Sequence, residues 1–187
     1  MIDLHDITIE YDGRNLFSPV SISVGSGEII CIMGRSGVGK TSLLNYIANI
    51  IDDSFTVFQD SHQLFPWYTV HKNLDLVSHN YIDTVNEWKI SDLLNHCPNE
   101  LSGGQHQRFT LIRALHSGFN NILCDQPLSG LDTLTKISVL QDFKQKIVDN
   151  NLSCIWVTHD YSEAQVIADR VFLLTENGLN DEASGIK

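Results

Sequence analysis

The 187-residue sequence predicts an α/β fold: a mostly parallel sheet with helices on both faces, entered through an antiparallel β piece. Three observations predict it. From Glu28 to Asn49 an apolar run, Ile29-Ile30-Cys31-Ile32-Met33, leads into a glycine-rich turn and then a helix. Behind it, short apolar runs alternate with segments whose apolar residues recur every three or four positions. Ahead of it, two β segments are joined by a turn.

In order, residues 2–11 read as a half-exposed strand, Asp12-Gly13-Arg14-Asn15 as a turn, and Pro19 to Val24 as the returning strand. Gly25-Ser26-Gly27 turns the chain into the central apolar run. The helix after the glycine loop carries Leu43, Leu44, Ile47 and Ile50 toward the sheet. Ser54 to Phe58 is a short strand ending at Gln59. Residues 60–98 read as mostly helical, with a short amphipathic piece at Leu93-Leu94 ended by Pro98. A helix from about Gly104 to Ser117 buries Phe109, Leu111, Ile112 and Leu115. Asn121 to Asp125 is a strand that ends on a carboxylate. Leu134, Ile137, Leu140, Phe143 and Ile147 mark the apolar face of another helix. Cys154 to Thr158 is a buried strand ending at His159; a short helix over 162–168 and a strand over 170–175 follow. Glu176-Asn177-Gly178 is a turn, and the polar tail reads as frayed.

Composition narrows the class. Twelve Lys and Arg against 23 Asp and Glu leave a net charge of −11, which argues against a nucleic-acid binder, since that needs a basic face. The length suits one domain. Four unpaired-looking cysteines and no secretory leader suggest a reducing cytoplasm, with Cys31, Cys124 and Cys154 as small buried residues. No apolar run approaches a membrane span, so any work at a membrane needs spanning helices from another chain. Apart from His159, the histidines (His62, His71, His79, His96, His106 and His116 among them) read as surface or interface residues. Asp92 and Glu100 read as solvated carboxylates.

The glycine-rich turn carries the chemistry. Gly34, Gly39, Lys40 and Thr41 satisfy the phosphate-loop spacing G-x-x-x-x-G-K-[ST]. Gly34, Gly37 and Gly39 let successive backbone N–H groups turn inward on an anion, at the positive end of the next helix. Lys40 reaches phosphate as a point charge, and Thr41 offers a hydroxyl to Mg²⁺. A chain of this length holds on the order of 0.01 such matches by chance, from average residue usage. In a doubly wound sheet ligands sit at the carboxyl ends of the strands. The glycine loop, Gln59, Asp125-Gln126 and His159 all fall there.

These residues resemble the ATP-binding subunit of ATP-binding-cassette (ABC) transporters, nearly end to end. Leu101-Ser102-Gly103-Gly104-Gln105 reproduces that family's signature motif; Asp125 matches its Walker B carboxylate and Ser129-Gly130-Leu131-Asp132 its D-loop. Gln59 matches the Q-loop, His159 the switch histidine, and Tyr11 the aromatic that stacks on the base. Tyr11 otherwise reads as a plain strand-end tyrosine.

The resemblance implies a P-loop core at 1–59 and 106–187 and a reduced helical subdomain at about 60–105, all within one domain. It implies a head-to-tail dimer around two ATP molecules. Gly34, Arg35, Ser36, Gly37, Val38, Gly39, Lys40, Thr41 and Ser42 of one copy would hold the phosphates. Ser102, Gly103, Gly104 and Gln105 of the other would close on them, and Asp132 would couple the sites. Thr41, Gln59 and Asp125 would serve Mg²⁺, and His159 the γ-phosphate. The partners implied are a second copy, permease subunits at the cytoplasmic face of the membrane, and an extracytoplasmic solute-binding protein, with no nucleic acid.

Two departures stand out. The family places a glutamate after the Walker B aspartate, as base for the hydrolytic water; here it is Gln126. An amide orients water but cannot take its proton. A Glu→Gln replacement made to trap the ATP-filled state, or a naturally slow ATPase, would account for it; the former is preferred. The segments between the first helix and Gln59, and between Gln59 and the signature, are also short for the family. Phe65-Pro66-Trp67-Tyr68-Thr69-Val70 and Thr158-His159-Asp160-Tyr161-Ser162-Glu163-Ala164 resemble the importers, those for nitrate, sulfonate and taurine above all. An ATP-gated clamp on a soluble partner is the alternative.

Overall fold

A computed structural model describes residues 1–59 and 63–182 of the chain. The expected surface position of His62 and fraying of 183–187 therefore lie outside the described residues.

A six-stranded sheet forms the centre. It contains β5 (Ile29–Met33), β6 (Ser54–Val57), β7 (Asn121–Asp125), β8 (Ser153–Val157), β9 (Arg170–Thr175) and β10 (Gly178–Asp181), in the order β10-β9-β5-β8-β7-β6. Every pairing is parallel except β9 with β10. The predicted frayed tail is thus corrected: Gly178–Asp181 is an antiparallel edge strand. One of its faces meets solvent, so it needs no apolar run to pair.

All five residues of β5, β7 and β8 are buried, as expected for strands covered on both faces. The period of two then divides the apolar residues between two clusters. Ile29, Cys31, Ile122, Cys124, Cys154 and Trp156 pack on one side with α4 (Gly103–Leu115), α5 (Thr133–Asp149) and α6 (Tyr161–Ile167). Ile30, Ile32, Leu123, Ile155 and Val157 pack on the other with α1 (Lys40–Ile50) and an antiparallel pair, β1 (Ile2–Ile7) and β4 (Val20–Val24). Burial pushes the thiols of Cys31 and Cys124 up, which keeps them as inert apolar groups.

Smaller corrections concern helix ends. Leu43, Leu44 and Ile47 of α1 are buried, but Ile50, in its last turn, is exposed. In α5, Leu140, Phe143 and Ile147 are buried, while Ile137 is partly exposed and Leu134 is 81% exposed. The first turn of α5 borders an open cavity beside Trp88 and Arg108 rather than the sheet. The described residues 63–100 contain two six-residue helices, α2 (Val70–Asp75) and α3 (Ile82–Glu87), and single 3-10 turns at Ser91–Leu93 and Pro98–Glu100. Val70, Leu74, Tyr81, Val85 and Trp88 join the α4 side of the core. His106 is buried and His116 half-buried, where surface or interface positions were expected. His116, at the C-cap of α4, bonds Thr84 Oγ1 of α3 at 3.0 Å.

Candidate functional site

The carboxyl ends of β5, β6, β7 and β8 converge on one open cavity of about 520 Å³. Its wall is Ser36, Gly37, Gly39, Lys40, Thr41, Ser42, Gln59, Gln126 and His159. Of the residues singled out in sequence, these lie together.

Glycine is required where the loop bends most. Gly34 has φ 155°, and a Cβ there would stand 2.7 Å from the Leu174 carbonyl oxygen. Gly39 has φ 105° and lies against Phe17 and Leu16. Gly39 also stands at the N-cap of α1, where no side chain caps the helix and no acidic residue occupies the first turn. The leading N–H groups of α1 are therefore left without side-chain acceptors, a start suited to an external anion. Lys40 is buried and its ammonium donates to the carbonyls of Gly34 (2.8 Å) and Arg35 (2.9 Å). Desolvation lowers its pKa, and the nearby Asp125 works in the opposite sense. Arg35 is exposed and Val38 half-buried on the outer side of the loop, against a neighbouring cavity bounded by Leu16 and Leu173–Asn177.

Beneath the loop, Thr41 Oγ1 donates to Asp125 Oδ2 at 2.6 Å. Asp125 is only 3% exposed, and its Oδ1 is buried without a hydrogen-bond partner. An orphaned carboxylate oxygen beside a threonine hydroxyl fits a hard divalent cation, which takes oxygen ligands. The donor set thus fits Mg²⁺, and the loop fits a polyphosphate.

Gln126 adopts a left-handed backbone, φ 46°. Its N–H bonds the Val157 carbonyl (2.9 Å), carrying the β7–β8 ladder one residue on. The side chain is held too: His159 Nδ1–H donates to Gln126 Oε1 at 2.9 Å, which leaves His159 Nε2 free. Such a conformation in a non-glycine residue costs on the order of 1–3 kcal/mol and occurs preferentially at functional sites. Gln59 is exposed at the rim, two residues past β6.

Other predicted residues lie elsewhere. Tyr11 is 69% exposed on a small hairpin of β2 (Glu10–Tyr11) and β3 (Arg14–Asn15), closed by Asp12 and Gly13 at positive φ; it does not line the cavity. Ser102, Gly103 and Gln105 begin α4 outside it. There Ser102 Oγ accepts from the Gln105 N–H and Gln105 Oε1 accepts from the Ser102 N–H, a reciprocal cap. Gly104 is buried against Gly130 and Leu131. Asp132 caps α5 through the Thr135 N–H, a bond that lowers its pKa.

Sequence reasoning missed two residues of α4. Arg113 Nη1 donates to the Gln63 carbonyl at 2.6 Å and its guanidinium lies over the Phe65 ring. Gln63 in turn bonds Phe58 and Thr56, so Arg113 is tied through Gln63 to the end of β6. Gln107 bonds Ser129 and Gly130. Both are polar residues within the apolar periodicity of the helix, which was the available signal.

Comparison with known proteins agrees with this geometry. The profile described as "ABC transporter" matches residues 17–54 and 52–129; the two pieces meet where α1 passes almost directly into β6. The chain is 34% identical to the aliphatic sulfonates import ATP-binding protein SsuB of Pectobacterium atrosepticum, over 92% of this chain and 73% of that one. It is 30% identical to the nitrate import ATP-binding protein NrtC of Synechocystis sp., over 83% of this chain but 28% of that one. Among solved structures, the dimeric bacterial ABC transporter cassette MJ0796 superposes with a TM-score of 0.82 at 26% identity, covering 97% of this chain and 98% of that one. The family match, the likeness along the chain and the loop geometry agree: this chain belongs to the ABC transporter family, as one of its ATP-binding subunits.

Proposed function

We propose that this chain drives a solute importer by closing, as a head-to-tail pair of copies, around two ATP molecules. The observation that carries this reading is the Thr41–Asp125 pair with its orphaned Oδ1, placed under a loop whose helix starts uncapped. In each site the backbone of residues 34–42 and the Lys40 ammonium hold the phosphates. Tyr11 offers a ring face to the base. Thr41, Asp125 and Gln59 would hold Mg²⁺, which would supply positive charge against the phosphates.

His159, fixed through Nδ1, presents Nε2 to the γ-phosphate. Gln126 orients the attacking water by hydrogen bonding but takes no proton from it, so turnover is slow and the closed pair is long-lived. From the second copy, the Ser102 hydroxyl and the N–H groups at Gly103, Gly104 and Gln105 complete the phosphate cradle, and Asp132 links the two sites.

Residues 1–59 and 106–187 form the ATP-binding core, and residues 60–105 a reduced helical part that faces the permease. Phe65, Trp67 and Tyr68 pack ring against ring there, with Trp67 69% exposed, an arrangement suited to burial against another protein. No helix among the described residues is long and apolar enough to cross a membrane, so the spanning helices come from the permease. The sulfonate and nitrate import relatives favour a small anionic solute, delivered by a solute-binding protein.

Light scattering with and without ATP and Mg²⁺ tests the pairing. The expected result is a doubling of mass with nucleotide, lost in Ser102→Arg. A single copy at every concentration, with Ser102→Arg indistinguishable from the parent, overturns it.

A further inference from the structure

The loop that follows Asp125 runs over the first turns of α4. Gln107 lies between them and is only 6% exposed. Both ends of its amide are used. Oε1 accepts the Gly130 N–H at 3.0 Å, and Nε2 donates to Ser129 Oγ at 3.1 Å. One turn earlier, Gly104 permits the close approach: a Cβ there would come 2.8 Å from Leu131 Cδ2 and 3.1 Å from the Gly130 carbonyl oxygen. Ser129 and Gly130 are themselves exposed, so water could satisfy them without any help from α4. A buried amide reaching out to two groups that do not need it points to control of position.

We propose that Gln107 is a positioning residue that fastens loop 129–132 to the start of α4, so that Ser102–Gln105 and Asp132 meet a partner copy as one rigid surface. The inference rests on the paired-copy reading above. Ser102 and Asp132 lie on different elements, each at the N-cap of its own helix. Across a paired interface an error in their spacing has to be corrected at the moment of closure. Gln107 removes that adjustment in advance, so its effect falls on association and leaves nucleotide capture by the single copy alone.

The experiment compares the parent chain with Gln107→Met, Gln107→Glu and Ser129→Ala. ATP binding by single copies is measured at low protein concentration, and ATP-dependent dimerisation by light scattering. Gln107→Met keeps the volume and loses both bonds. It is expected to weaken dimerisation about tenfold, with ATP binding by the monomer within about twofold of the parent. Gln107→Glu still accepts from Gly130 and can accept from the Ser129 hydroxyl turned round, so it is expected to restore most of the loss. Ser129→Ala, on an exposed residue that leaves folding intact, is expected to weaken dimerisation about threefold and to add nothing to Gln107→Met. Hydrogen exchange at the Gly130 amide should speed up in Gln107→Met alone among the Gln107 variants. If the parent pairs and both Gln107→Met and Ser129→Ala pair equally well, the positioning role is overturned and the paired reading stands. If the parent itself fails to pair with ATP and Mg²⁺, the paired reading falls, and this inference with it.

Discussion

Helices α1 and α4 both begin at glycine-rich turns, yet their first turns are finished differently. At α1 no side chain closes the helix; Gly39 leaves its leading N–H groups directed at the cavity. At α4 the reciprocal Ser102–Gln105 cap satisfies the corresponding groups within the chain. Ser102 Oγ uses a lone pair on the Gln105 N–H and keeps its own hydrogen to offer. One start is therefore a site prepared for an anion in its own chain. The other is capped within its own chain and leaves the Ser102 hydroxyl hydrogen to offer outside the cavity. On the paired reading proposed above, a single copy would hold one half of a site at each of two places, and a second copy would join the halves.

The sharpest way to break this contrast is on the α1 side, at Gln126. If the cavity is otherwise complete and only the proton acceptor is missing, Gln126→Glu should raise steady-state phosphate release by about 10²–10⁴. The His159 contact to this side chain is retained, because a carboxylate also accepts from Nδ1–H. Equal, slow release in both forms would place the defect elsewhere in the site. Next in size is Lys40→Ala, which removes a charge-assisted donor. Its expected effect is about 10–100-fold weaker ATP binding by the monomer, measured by equilibrium binding or nucleotide-quenched fluorescence. Thermal stability should change far less, since its partners Gly34 and Arg35 lie in a loop open to water.

The α4 side should respond in the opposite pattern. Gly104→Ala introduces a Cβ into the gap beside Leu131 and Gly130. Leu131 Cδ2 can swing away, but the Gly130 carbonyl is backbone and has to shift by a few tenths of an ångström. ATP capture by single copies should stay as it is, while dimer affinity falls by about three- to tenfold, read by light scattering. Loss of both together would mean that the two helix starts are not separable.

The same division explains what could be read from sequence. The phosphate loop is a local device: strand, turn and helix start occupy one short stretch, and residue type alone reports backbone geometry. Asp125, Gln59 and His159 were legible because parallel strands deliver their ends to one edge. The alternation of apolar runs announced those strands. By contrast β10 has Leu179 as its only large apolar residue, because an edge strand with a wet face needs little more. The links made by Gln107 and Arg113 join segments far apart in the chain, and a glutamine or arginine within a helix has many other uses. Tyr11 shows a further limit. From residue type it reads as a plain strand-end tyrosine, and only the family resemblance makes it a base platform; the hairpin leaves it 69% exposed, outside the cavity wall.

The smallest expected effect lies at α6, behind the switch histidine, and it concerns acid stability. Asp160 caps α6 through the Ser162 N–H and pairs with Lys136, which also bonds Glu163. The Ser162 hydrogen bond, joined by Lys136, holds its carboxyl below the ordinary range although partial burial opposes this. A carboxyl lowered on folding contributes stability that is present above its unfolded pKa of about 3.9 and is lost as pH falls through the folded value. Thermal melts of the parent should therefore drop as pH goes from 5 to below 4. Asp160→Asn keeps a capping oxygen but not the charge, so its melts should lie slightly lower at neutral pH, by about 0–1 kcal/mol, and converge on the parent in acid. Parallel curves for the two chains would show that the charge at this cap adds nothing to the stability of the fold.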